Sequence, residues 1–485
     1  MATLTRTAAR PRFDLLRLPV LGRFLRWRHA RTAAQVPMLL ISLAILYDGF
    51  FGPTLAPKNL AGVLPWVHWR GFVVLALLIA GNLFCFACPF MLPRRLAKRL
   101  LPASRAWPSW LPGKWVAVGV LVLFFWAYEA FSLWRSPLLT AWVALTYFAA
   151  AFVIDGFFKG AAFCKHICPI GQFHFVNAMV SPLEVSVRDP NTCLTCTTKD
   201  CISGRAGPDG RITQNGCELW LFQQRKVGNI DCTFCLDCMQ ACPYDNVGVL
   251  RRHPSREFRP DVQRSGVGRP AQRTDLATLV LVLVFGAFLN AFGMVEPVYR
   301  FESWLAGLLG LTSRPALIAL MFGLFLGIVP LLLLAGAALA TRRLARDRGS
   351  LVGTATRFSY ALVPLGFGMW LAHYGFHFLV GALTIVPVTQ SFLTDMGLPI
   401  LGTPRWDLAA LVPVEWTDPI EVAFLIGGLL GSLWAVRRVA VDHYRGRRKT
   451  RAAALPWVVL CILLFAVGLW LMSLPMEMRG TMLAG

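Results

Sequence analysis

Nine stretches of this chain are apolar enough, over enough residues, to cross a bilayer. A span needs about 20 mostly apolar residues to cover roughly 30 Å of hydrocarbon. The candidates are 36–52, 70–90, 114–134, 139–162, 275–296, 315–340, 355–385, 419–437 and 454–474. The first is short, the seventh is long, and the sixth carries Pro330, which predicts a kink. The fold class that follows is mainly α: a polytopic transmembrane helical bundle of about nine spans.

Charge patterning orients the bundle. The net charge of +23 would suggest nucleic acid on a soluble chain, but only 15% of residues are charged and 56% are hydrophobic. A soluble domain has about 25% charged residues. The basic residues fall in blocks between apolar runs: Arg94 to Arg99, Arg251 to Arg273, Arg342 to Arg348, and Arg437 to Arg451. If the spans alternate, all four blocks share one side, which the positive-inside rule makes cytoplasmic. The expected partner is therefore the lipid bilayer and not nucleic acid. The expected location is a bacterial inner membrane, with the N-terminus inside and the C-terminus in the periplasm.

Residues 1–35 form a basic N-terminal segment with no small-residue cleavage site after a short apolar core. They read either as an amphipathic segment on the inner membrane face or as a basic tail that fixes orientation. A four-span membrane domain follows over 36–162, then a polar cytoplasmic segment over 163–274, then a five-span domain over 275–485. Within the last domain, the loop 386–418 is expected on the outer face.

The polar segment holds the sharpest motif. Cys232-Thr-Phe-Cys235-Leu-Asp-Cys238-Met-Gln-Ala-Cys242-Pro243 is the C-x2-C-x2-C-x3-C-P run of bacterial ferredoxins. In two-cluster ferredoxins the fourth cysteine of the run serves the other cluster. Zinc sites usually take separated C-x2-C pairs instead. A looser partner reads Cys193-Leu-Thr-Cys196-Thr-Thr-Lys-Asp-Cys201, with Cys217 beyond an insertion. The exchange rule gives Cys193, Cys196, Cys201 and Cys242 to one [4Fe–4S] cluster. It gives Cys232, Cys235, Cys238 and Cys217 to the second, unless Cys217 is a free thiol. The expected insert is thus a bacterial-ferredoxin-like 2x[4Fe–4S] module.

Two further pairs close the second and fourth spans: Cys85 and Cys88 before Pro89, and Cys164 and Cys168 before Pro169. Spacings of three and four let each pair share a helical face. The four thiols suit a metal, a third cluster or a redox dithiol.

The segment Phe163-Cys164…Cys168-Pro169-Ile170-Gly171, followed by a ferredoxin motif between spans, resembles the NosR/NapH/CcoG-type membrane ferredoxins. The similarity covers roughly residues 70–250. It implies two [4Fe–4S] clusters flanked by cysteine–proline helix ends. It also implies electron exchange between quinol or a cytoplasmic donor and an outer-side partner, or copper reduction during enzyme maturation. Cys164 and Cys168 match the family's CxxxCP pair, whereas Cys85 and Cys88 are one residue closer.

The C-terminal half adds His373 and His377 in an apolar run, four apart and so on one face. Ionisable residues inside a span are costly and mark candidate sites, here for haem b, quinone or copper, or for helix packing. Met476 and Met478, in the Met-rich tail, are thioethers that suit Cu(I), or else ordinary interfacial side chains. The function read from the sequence is electron transfer between a quinol or cytoplasmic donor and a membrane or periplasmic acceptor. Copper handling and redox sensing are the alternatives. No nucleotide-binding fingerprint stands out, and no catalytic residue is assigned.

Overall fold

The computed structural model describes residues 13–101 and 104–477, apart from the side chain of Ser255. It is mainly helical, and among the described residues eight helices are long and apolar enough to cross a membrane. These are Ala30–Phe51, Leu60–Ala80, Pro137–Phe157, Thr274–Phe292, Arg314–Leu344, Leu351–Asp395, Val414–His443 and Arg447–Met472. This is a multi-pass membrane architecture. The third expected span is a shorter apolar helix, Trp115–Ala130. Its 16 residues rise only about 24 Å.

Local chemistry sets the boundaries. Ser136 caps the helix that starts at Pro137, its hydroxyl accepting from the Leu139 amide at 3.2 Å. Proline at the first helical position lacks only an amide that has no intrahelical partner anyway. The second span begins about ten residues before its expected start, capped by Asn59, whose Oδ1 accepts from the Ala61 amide at 2.8 Å. It stops at Gly81, whose φ of 79° favours glycine, and a Cβ there would meet the Phe234 ring at 3.0 Å. The apolar residues after Gly81 therefore leave the span and turn toward the polar insert.

Two spans depart from regular helix. In the sixth, a π-helical turn over Gly323–Ile328 directly precedes Val329 and Pro330. Proline offers no amide and crowds the carbonyl four residues back, and a wider turn relieves both. The seventh, Leu351–Asp395, is broken by 3-10 turns at Tyr360–Leu362 and Ala382–Thr384. Its middle piece, Val363–Gly381, is buried almost throughout and forms the centre of the bundle. Its last piece, Ile385–Asp395, is helical, so the expected loop 386–418 becomes irregular only after Asp395.

The polar insert is built from short helices and two small antiparallel pairs. Strand β1 (Leu183–Val187) pairs with β4 (Val247–Arg251), with Val185 opposite Val249. Strands β2 (Arg205–Ala206) and β3 (Ile212–Gln214) form a hairpin in the insertion between Cys201 and Cys217. The described part of the N-terminal segment packs against the insert. Asp14 bridges to Leu250 at the sheet edge, Arg188 pairs with Asp14 at 2.8 Å, and Arg26 with Asp245 at 3.2 Å. Residues 1–12 lie outside the described residues.

The basic blocks converge at the insert's end of the bundle. Arg259 pairs with Asp442 at 2.8 Å, Arg357 with Asp261 at 3.2 Å, and the Tyr444 hydroxyl donates to Asp347 at 2.6 Å. Arg94 and Lys98 reach Glu218 in the insert at 2.5 and 2.6 Å.

Candidate functional site

Twelve cysteines gather into three groups of four. In the first, Cys193, Cys196, Cys201 and Cys242 line one cavity at the partly exposed side of the insert. Asp189 caps the helix Pro190–Thr195, accepting from the Asn191 and Thr192 amides at 3.0 and 3.3 Å, and so fixes Cys193. Asn246 spans the group: its amide N–H donates to Cys242 Sγ at 3.4 Å and its Nδ2 to Cys193 Sγ at 3.3 Å. The Lys199 amide donates to Cys196 Sγ at 3.4 Å. Donors aimed at sulfur suit thiolate more than thiol.

The second group is Cys217, Cys232, Cys235 and Cys238. Burial drives the Cys238 thiol well above its ordinary pKa, and Cys217, Cys235 and Cys232 lie close enough to add to that electrostatically. The loop that carries three of them has left-handed backbone at Asp231, Phe234 and Leu236, with φ of 61°, 53° and 62°. Non-glycine residues at positive φ are uncommon and cluster at functional sites. Alternation of this kind turns successive amides toward one concavity, the nest geometry of many Fe–S and phosphate sites. Cys217 follows the β2–β3 hairpin, and its amide donates to the Cys201 carbonyl at 3.0 Å, which links the first two groups.

The third group, Cys85, Cys88, Cys164 and Cys168, lines a cavity with Thr233 and Cys235 of the second. Neither pair lies on one continuous helix, contrary to the helical-face expectation. Cys85 is in the short helix Leu83–Phe86 and Cys88 lies beyond its end. Cys164 is in Ala162–His166, and Cys168 caps the next helix, its Sγ accepting from the Gly171 amide at 3.2 Å. The following prolines prevent continuation, so each pair straddles a break. Burial raises the Cys88 thiol to about 11 and the Cys164 thiol to about 12.

Charged residues surround this third cavity. Arg31 and Arg94 line it. Arg31 pairs with Asp237 at 2.9 Å, and Arg94 with Asp155 at 2.7 Å and with Glu218. Burial works to raise the Glu218 carboxyl, but Arg94 and Lys98 outweigh it and hold it at about 2. Two buried guanidiniums beside four sulfurs favour an anionic occupant. Sequence reasoning missed Arg31, Arg94, Glu218 and Asn246, because each has a defining partner far away along the chain, 53 residues for Asn246 with Cys193.

Among the described residues, no three of His, Cys, Asp or Glu gather tightly enough to grip a single metal ion.

A row of rings leads away from the third group into the bundle. Phe84, beside Cys85, stacks on His174 with centroids 5.4 Å apart. His174 is fully buried, which pushes its pKa down to about 3. Phe173 lies 6.3 Å from His174 and 5.3 Å from Trp370. Trp370 is 4.8 Å from Tyr374, and Tyr374 is 5.5 Å from His373. His373 and His377 are 5.0 Å apart. The His373 Nε2 lies 3.1 Å from the Met294 sulfur. Met476 pairs with Val295 across an isolated bridge, and Met478 lies outside the described residues. Cys461 stands apart from the three groups, buried in the last span.

No family model matches the chain, and no solved structure matches it. An uncharacterized protein of Methanocaldococcus jannaschii is 26% identical to it over 93 residues, 19% of this chain. That match spans 32% of the relative's own length.

Proposed function

We propose that this chain is an iron–sulfur electron-transfer protein of the membrane, of the NosR/NapH/CcoG type, with its cysteine sites arranged in series. One observation carries the reading. Cys242 parts from its own run and lines a cavity with Cys193, Cys196 and Cys201, while Cys232, Cys235 and Cys238 gather with Cys217. This exchange is what two-cluster ferredoxins require, and a pair of zinc sites has no need of it.

The donor sets fit. Each group offers four sulfurs, amides donate to several of them, and the second group sits on a left-handed nest. [4Fe–4S] clusters held at the first two groups, and a third metal centre at Cys85, Cys88, Cys164 and Cys168, would supply one-electron transfer at potentials tuned by hydrogen bonding and exposure. The chain's own residues do the rest. Arg31 and Arg94 stabilise negative charge at the third group, and Phe234 and Leu236 keep water from the second. The partly exposed first group is where a soluble redox partner docks. The basic blocks around the insert make its side the cytoplasm.

The test is anaerobic purification of the full chain with iron, zinc and sulfide quantified, and optical and EPR spectra recorded before and after adding dithionite or a quinol. The expected result is roughly 8–12 iron atoms per chain, with reducible cluster signals. Stoichiometric zinc without iron overturns the reading.

A further inference from the structure

We infer that His373, His377 and Met294 form a binding site for a soft monovalent cation of the Cu(I) class, at the far end of the row of rings. The site is built from two elements. His373 and His377 lie one turn apart on the central piece of the seventh span, and their rings are 5.0 Å apart. Met294 lies just beyond the end of the fifth span, and its sulfur sits 3.1 Å from His373 Nε2. The three residues are 0%, 7% and 3% exposed. A thioether and an imidazole nitrogen this close make only a weak hydrogen bond, which an ion seated beside the pair and touching both readily replaces.

The donor set selects the ion. Two imidazoles and a thioether suit Cu(I), and none of the three offers the oxygen that magnesium, calcium or manganese needs. Charge selects it further. The Arg70 guanidinium lies over the Tyr374 ring at 5.0 Å, and that ring is 5.5 Å from His373, so a fixed cation stands one ring away from the site. In a water-poor bundle a second positive charge is costly, and a divalent ion more so than a monovalent one. Haem fits poorly. The gap between His373 and Met294 leaves no room for a porphyrin plane, and two ligands on one helical face cannot bind its opposite sides.

The C-terminal segment holds the thioether in place. The Glu477 amide donates to the Met294 carbonyl at 2.8 Å, and Met476 pairs with Val295. Met476 thus anchors the backbone of the site, and Met294 is the ligand that the sequence concealed.

The experiment offers Cu(I), buffered by the chelator bathocuproine disulfonate, to the anaerobic full chain. Bound copper and retained iron are read in the same sample, and the copper's ligands are read by X-ray absorption. The expected result is one Cu(I) with nitrogen and a single sulfur in its shell and no iron released. Met294→Leu, which keeps volume and shape, should weaken binding about 10–100-fold and remove the sulfur. His373→Asn should weaken it at least as much. Parent-like binding in both variants, an all-sulfur shell, or iron lost in step with copper gained would each overturn the inference. Iron content reports separately on the cysteine sites, so the two readings fail independently.

Discussion

The two cysteine groups of the insert each offer four thiols, in opposite surroundings. Cys193, Cys196, Cys201 and Cys242 are all partly exposed and held by polar caps from Asp189 and Asn246. Cys217, Cys232 and Cys238 are buried with Phe234, Leu236 and Met239 in an apolar cluster. Exposure and hydrogen bonding set cluster potentials, so identical donors need not be redox equivalents. The difference also assigns position. A group reachable from solvent can meet a partner protein, whereas a buried one can exchange electrons only with its neighbours. On the proposed reading, burial rises from the first group to the second, while the third at the span ends is mixed, with Cys168 buried and Cys85, Cys88 and Cys164 partly exposed.

Cys235→Ala is the substitution with the largest expected effect on that gradient. Cys235 belongs to the buried group and also lines the cavity of the third, so on the proposed reading it joins the two. Roughly four iron atoms should be lost, and quinol should no longer communicate with the first group. Electron flow at the parent rate would break the serial arrangement. Arg94→Met comes next. The guanidinium is 3% exposed between Asp155 and Glu218, and removing it strands the fully buried Asp155 carboxylate, while the partly exposed Glu218 keeps Lys98. Breaking a buried pair from one side costs about 3–5 kcal/mol. Thermal unfolding should show it, and adding Asp155→Asn to Arg94→Met should recover part of the loss. Additive losses would mean that the pair is not coupled.

Cys196→Ser sharpens the contrast from the exposed side. It should remove the first group's iron while the second group's spectrum and the melting temperature stay near those of the parent, since the surrounding helix packs little apolar surface. Collapse of both signals would show that the two groups fold as one unit and that exposure does not separate them.

How much of this is legible in the chain depends on how far apart the interacting residues are. The spans stand out because their signal is local composition, and the Cys232–Cys242 run because its spacing is itself a geometry. The second span slid by about ten residues because hydropathy does not distinguish Leu83–Phe90, which lines a site, from residues that face lipid. The Cys pairs were expected on helical faces, although the following prolines carried the signal that each pair straddles a break. Arg94 with Glu218, 124 residues apart, and His373 with Met294, 79 apart, leave no local trace at all. Distant pairs of this kind make the charged wall of the third group and the thioether of the soft-ion site.

The smallest effect lies at the exposed edge, where the insert meets the bundle. Asp261 accepts a hydrogen bond from His443, which sits 3.4 Å away, and pairs with Arg357 at 3.2 Å, joining the insert to the eighth and seventh spans. The His443 bond is the main cause that brings its carboxyl down, from an ordinary 3.8 to about 2, with burial opposing and Arg357 helping. A carboxyl held low in the folded state adds stability above its unfolded value and loses it as pH falls through the folded one. The contribution should therefore be complete above pH 3.8 and vanish by about pH 2. Its side chain is 43% exposed, so solvent screening limits the contribution to below about 1 kcal/mol. Asp261→Asn should accordingly lower the melting temperature slightly at neutral pH, and the gap from the parent should close between pH 4 and pH 2. A gap as large as that of Arg94→Met would mean that this edge, and not the buried wall of the third group, fastens the insert to the membrane helices.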